Sequence, residues 1–242
     1  MGNKKQKRIV NAWAFYDWAN SVYPLVITTA IFPLYYTAVT SGNKEMVGDF
    51  EADVVYFFGI RFVNTALYSY ITAASFLVVA FASPILSGVA DYIGNKRFFL
   101  SLFCYIGSSA CIGLFFFDPG FLEFSMLLPF FASIGYWGSM VFYNAYLPEI
   151  APPEDHDKIS ARGFTMGYIG SVLLLVANLV AIQAFGMPAK WAFITVGIWW
   201  AGFAQITLTY LPENPYNHRV KKKESLVKKG FLELQSVWKQ LK

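Results

Sequence analysis

Six long apolar runs dominate the sequence, at residues 15–39, 66–90, 98–117, 121–147, 164–185 and 191–211. Each is close to the length that crosses a bilayer as a helix, which takes about 20 mostly apolar residues. Helices are the natural choice there, because a helix pairs its backbone N–H and C=O groups within itself once water is excluded. The composition agrees: 56% of residues are hydrophobic and 14% charged, against roughly 45–50% and 25% in soluble domains. The predicted fold is an all-α integral membrane bundle of six helices over residues 1–211, followed by a basic segment over 212–242. The first run is too long for a cleaved signal peptide, and no small-residue cleavage site follows it.

Cations set the expected orientation. Of nineteen Lys and Arg residues, sixteen fall in the N-terminus, the second and fourth connections and the tail, while Lys44, Arg61 and Lys190 fall at the opposite ends. That asymmetry predicts both termini in the cytoplasm. It also accounts for most of the net charge of +4 without any nucleic-acid partner. In the tail, Val227, Phe231, Leu234, Trp238 and Leu241 recur at helical spacing opposite Lys228, Lys229 and Lys239. An amphipathic helix lying on the inner leaflet is expected, which makes the lipid bilayer the first partner.

Catalysis is not expected. The only histidines, His156 and His218, lie in connections, so the serines of Gly107-Ser108-Ser109-Ala110 have no buried base. Asp17 and Asp91 invite comparison with an aspartyl-protease pair, but Gly94-Asn95-Lys96-Arg97 holds Asp91 at the membrane surface. Zinc-ligand spacing and a phosphate-binding glycine loop are both missing, so neither metal nor cofactor is predicted. Cys104 and Cys111 stand seven residues apart on one predicted helix, roughly 10 Å along its axis, too far to pair. Both read as apolar core.

Polar residues inside the runs mark the positions of interest. Asp17, Asn20, Ser21, Pro24 and Thr28 share one stripe of the first span at helical spacing. In lipid that stripe must face other helices or a water-filled cavity. For Asp17 two readings stand: an interfacial carboxylate balancing Lys7 and Arg8, or a residue lining a pathway through the bundle. Pro24 and Pro33 free backbone carbonyls and favour bending. The fifth span sets Gly163, Gly167, Gly170, Ser171 and Asn178 largely on one face, a close-packing seam. Asn178 and Gln205 in the sixth span lie deep by position, and each amide needs another helix, water or a solute as partner. Pro129 is expected to kink the fourth span, and residues 41–64 to form a solvated outer loop.

The connection 91–97 reverses the chain between the second and third spans, with Gly94 free to take positive φ. Its spacing resembles the cytoplasmic signature of the major facilitator superfamily, Gly-x-x-x-Asp-(Arg/Lys)-x-Gly-(Arg)-(Arg/Lys), matched by Asp91, Gly94 and Lys96. Ser87 stands where the first glycine belongs, and Tyr92 and Asn95 replace basic residues. Three further stretches sharpen the resemblance. They are Tyr16-Asp17-Trp18-Ala19-Asn20-Ser21 in the first span, Tyr143-Asn144-Ala145-Tyr146-Leu147-Pro148-Glu149 closing the fourth, and Ser160-Ala161-Arg162-Gly163 opening the fifth. Together they resemble the vacuole-effluxer-like branch of that superfamily.

The resemblance implies the N-terminal six-span half of a secondary transporter that moves a small organic solute, with amino-acid efflux the best-known case. It implies a gating role for Asp91, Gly94, Lys96 and Arg97, and an inner charge network that includes Glu149 and Arg162. Asp17, Asn20, Asn178 and Gln205 become the candidate solute pathway. It also implies a missing second six-span half or a homodimer partner. The expected location of the multi-pass chain is the cell (inner) membrane. The competing expectation is a six-helix membrane scaffold or accessory subunit that transports nothing.

Overall fold

The computed structural model describes residues 3–93 and 95–212, with side chains placed for residues 4–86 and 95–212. Gly94, the side chain of Asp91 and the basic segment from residue 213 onward, with its expected amphipathic helix, lie outside the described residues.

Among the described residues, six helical segments are long and apolar enough to cross a membrane: Lys4–Val39, Asn64–Leu86, Lys96–Phe116, Pro119–Ile150, Pro153–Phe185 and Trp191–Tyr210. The first is built from α1 (Asn3–Asn20), a π-helical stretch (Tyr23–Ile31) and α2 (Phe32–Val39). The others centre on α3 (Asn64–Ile93), α4 (Lys96–Gly113), α6 (Leu127–Ile150), α7 (His156–Phe185) and α8 (Trp191–Tyr210), with a short α5 (Leu122–Ser125) leading into α6. Local chemistry sets several ends. Asn95 caps α4 by accepting the Phe98 N–H at 3.0 Å. Gly186 closes α7 at φ +66°, a left-handed conformation that suits glycine.

The expected outer loop is an ordered three-stranded antiparallel sheet. Strand β1 (Lys44–Val47) pairs with β2 (Phe50–Phe57), which pairs with β3 (Ile60–Val63), and β3 runs directly into α3. Both hairpins turn through two residues, Gly48-Asp49 and Phe58-Gly59. The fourth span is interrupted at Met126, between α5 and α6, three residues before Pro129. Pro129 itself sits in the first turn of α6, where a missing N–H breaks no intrahelical bond.

The main packed pairs are α4 with α6, α1 with α7, α4 with α8, α1 with α8 and α3 with α6. Lipid tails are as apolar as leucine, so close contact rather than hydrophobicity must hold these helices together. At the centre, α4 and α6 cross backbone to backbone. A Cβ on Gly135 would sit 2.3 Å from the Gly107 Cα, and one on Gly107 would sit 2.3 Å from the Trp200 ring of α8. Trp200, Tyr16, Tyr143 and Phe142 fill the buried centre around that crossing.

Candidate functional site

The buried face of α1 carries the polar stripe. Asp17 is 7% exposed and Asn20 fully buried, so neither carboxylate nor amide is bathed by solvent. Asp17 Oδ2 accepts a 2.9 Å hydrogen bond from the Tyr143 hydroxyl of α6. Among the described residues no salt bridge reaches it. Tyr143 is itself fixed from α1: Trp13 stacks on its ring at 4.2 Å, and the Trp13 indole N–H donates to the Tyr143 carbonyl at 2.8 Å. The phenol is thus held on both sides, and it in turn holds the carboxylate. Asn20 donates from Nδ2 to Met140 Sδ at 3.1 Å.

Helix α7 lies against the same stripe through its glycines. A Cβ on Gly163 would meet Asp17 Oδ2 at 2.4 Å, one on Gly167 would meet Ser21 Oγ at 2.4 Å, and one on Gly170 would meet the Trp18 ring at 2.9 Å. Three successive missing side chains allow α7 to lie against Asp17, Ser21 and Trp18, an approach that any larger residue would widen.

One turn beyond Ser21, Pro24 interrupts the ladder because it has no N–H to donate. The helix relaxes to π register over Tyr23–Ile31, with the Phe32 N–H reaching back five residues to the Ile27 carbonyl. Thr29 Oγ1 donates to the Pro24 carbonyl at 2.8 Å. Beside this stretch opens a cleft of about 270 Å³, lined by Ser21, Pro24, Leu25 and Thr29 of the first span, Tyr136 of α6, and Phe164, Tyr168 and Ser171 of α7. Its wall offers hydroxyls and aromatic faces and no charged side chain. Such a surface can grip a small solute that has both polar and apolar parts.

The remaining sequence candidates lie elsewhere. Lys96 at the start of α4 makes an ion pair with Glu149 in the last turn of α6. Arg162 does not join that pair; its Nη1 donates to Asn11 Oδ1 of α1 at 2.6 Å. Arg97 stands beside Lys96 at the head of α4. Asn178 bonds the α7 backbone at the Leu174 carbonyl (2.9 Å) and accepts from Thr195 Oγ1 of α8 at 3.0 Å. Gln205 is exposed on a flank, donating to the Ala201 carbonyl and accepting from the Tyr105 hydroxyl at 3.1 Å. Neither amide lines the cleft. Tyr136, Tyr143, Tyr168 and Thr29 are the residues that reading the stripe from sequence passes over. Their signal is a phenol or hydroxyl inside an apolar run.

Comparisons with known proteins follow the same line. The chain matches the family described as vacuole effluxer Atg22 like, over residues 5–157 and 152–242. It is similar to the uncharacterized MFS-type transporter YxiO of Bacillus subtilis, 30% identical over 241 residues, covering 96% of this chain and 52% of that protein. It is also similar to autophagy-related protein 22-2 of Neosartorya fischeri, at 22% identity over 69% of this chain and 39% of the relative. Autophagy-related protein 22 of Coccidioides immitis is 23% identical over 76% and 39%. The chain therefore spans about half the length, or less, of the curated relatives it matches. No solved structure matches it.

Proposed function

Since this chain belongs to the Atg22-like vacuole effluxer family, we propose that it forms one side of a secondary transporter that moves a small organic solute by alternating access. The observation that carries this is the uncharged cleft between the π-helical stretch of the first span, α6 and α7, one turn along that span from the Asp17–Tyr143 bond. Irregular helix at membrane depth is tolerated where it is covered by protein or lines a water-filled cavity, and π segments recur at functional sites. Amino acids are the solute class we put first. Hydroxyls and rings in this wall would meet the side chain, leaving the charged ends to groups across the pathway.

A second six-helix body is needed to complete the cleft. Phe164 and Tyr168 line its open side and are largely exposed, which supports a facing wall. That body is either further sequence of the same protein or a second copy. Lys96, Glu149 and the connection carrying Asp91 then form the inner gate, and the cation asymmetry supports cytoplasmic termini.

Uptake and counterflow of labelled amino acids into proteoliposomes test the reading. Saturable flux that Tyr136→Ala and Thr29→Val weaken, through higher KM, is the expected result. If no amino acid moves, the solute class fails. If a broad panel of solutes also fails with a second six-helix body present, the scaffold reading replaces transport.

A further inference from the structure

The sheet that precedes α3 carries two hairpins of equal loop length and opposite chemistry. The β1–β2 turn is Gly48-Asp49, in which glycine takes the positive φ (+65°) and the aspartate is exposed. The β2–β3 turn is Phe58-Gly59, with both residues at positive φ, +51° and +74°. Two positive φ values in a two-residue loop define the turn that favours Asn-Gly, because asparagine and glycine enter the left-handed region with least strain. A bulky aromatic residue there is a genuine outlier. Phe58 occupies it with 74% of its surface exposed. The ring sets its edge against Phe57 at 4.7 Å between centroids, and most of its surface is still left uncovered. An outlier of this kind points to a role for the side chain.

Its surroundings identify the medium it meets. The Phe58 N–H donates to Glu123 Oε1 at 3.1 Å, which ties the tip to the start of the fourth membrane-crossing segment. Phe121 and Phe124, flanking that glutamate, are 66% and 73% exposed. Ile60, the next residue after the turn, is 60% exposed, while Phe57 packs inward on the core. From Ile60 the strand runs only to Val63 before the apolar segment Asn64–Leu86 begins, a distance of about 13 Å at strand rise. The exposed rings therefore continue the lipid-facing surface of two spans at their shared end. Phenylalanine, with tryptophan and leucine, makes up the apolar face of segments that lie at that level of a bilayer.

We propose that the Phe58-Gly59 hairpin tip docks into the headgroup and acyl boundary of the leaflet at the sheet end, with Phe58 as its anchor. The Gly48-Asp49 tip stays in water. The sheet is then a membrane-resting clasp over the entry to α3, and not a solvated cap.

Spin labels on single cysteines at Phe58, Ile60 and Asp49 test this in the full chain reconstituted in phosphatidylcholine and phosphatidylglycerol vesicles. Cys104 and Cys111 are fully buried, so labelling is confined to the introduced sites. Oxygen, which partitions into lipid, should relax the labels at 58 and 60 more than a water-soluble nickel chelate does. At 49 the order should reverse. Ile60→Cys keeps the test valid should Phe58→Cys disturb the turn. Labels at 58 and 60 as open to nickel as the one at 49 would place the tip in water and overturn the proposal. Labels shielded from both reagents would mean a protein cover, whether a second copy or another partner, and would overturn it equally.

Discussion

The Tyr143 hydroxyl meets the Asp17 carboxylate at 2.9 Å across the α1–α6 contact, and Gly163 of α7 lies so close to that carboxylate that a Cβ there would be 2.4 Å from it. A phenol there neutralises less charge than a cation would, yet it satisfies one oxygen. Asp17→Asn preserves the shape and an acceptor for Tyr143. It should leave folding intact while flattening the pH dependence of flux, read in proteoliposomes across an imposed pH range. Unchanged transport and pH dependence would return Asp17 to a structural role.

Tyr143→Phe removes the same bond from the other side. The expected loss is about 1 kcal/mol of stability, since an acceptor is left buried with its partner gone. Thermal unfolding in detergent measures it. In the Asp17→Asn background the loss should be smaller, because an amide is less costly to leave unpaired than a carboxylate.

Gly167→Ala should be more damaging than its size suggests. The added methyl lies 2.4 Å from Ser21 Oγ and 3.1 Å from the Asp17 carbonyl. Overpacking of this sort costs about 1–3 kcal/mol. Removing the obstacle with Ser21→Gly should recover part of the loss. A double-mutant cycle in thermal stability that shows no coupling would mean α7 moves aside freely.

Lys96 and Glu149 are expected to act as a pair. Glu149→Gln and Lys96→Gln should each slow solute exchange, whereas the charge-reversed pair Lys96→Glu with Glu149→Lys should recover more activity than either reversal alone. Exchange rates at saturating solute read this directly.

Orientation is testable by labelling. Cysteines placed at Asn43 and Lys190 should react with a membrane-impermeant reagent from outside sealed cells, and one at Asn95 only after permeabilisation. Reaction of Asn95 from outside would reverse the topology.

Much of this architecture could be read from residue order, and the misses have physical causes. Run length and charge were enough for the six spans, because a bilayer imposes one length on every helix. Glycine spacing in α7 was equally plain, but what it lies against was not, since Trp13, Tyr143 and Asp17 meet only after α1, α6 and α7 assemble. The cleft wall departs from the polar stripe of the first span at a definite point, although the Thr28 hydroxyl is buried within the protein as the stripe requires. A period of 3.6 carries the stripe from Pro24 to Thr28, while the π register carries the cleft wall from Pro24 to Thr29, five residues on. The sheet stayed hidden because two of its strands are four residues long and only Val54 is buried, so alternation had almost no interior to report. Arg162 was grouped with Glu149 because both stand at span ends on the same rim and the family resemblance implies a charge network there, yet its guanidinium donates to Asn11, over a hundred residues away.

The crossing of Gly107 over Gly135 has a mechanical consequence. No side chain separates them, and the Trp200 ring of α8 is wedged against Gly107, so a roll of α4 on α6 drives backbone against backbone and a shift of α8 has to move that ring. Stiffness is therefore concentrated on one flank of the bundle. Bending falls more readily on α3, which is held mainly by α6, and on the looser ladder of the π stretch, whose Tyr23 ring meets the frame only at Tyr136 and Trp200 among its ring contacts. The molecule is built like a rigid frame with two compliant staves.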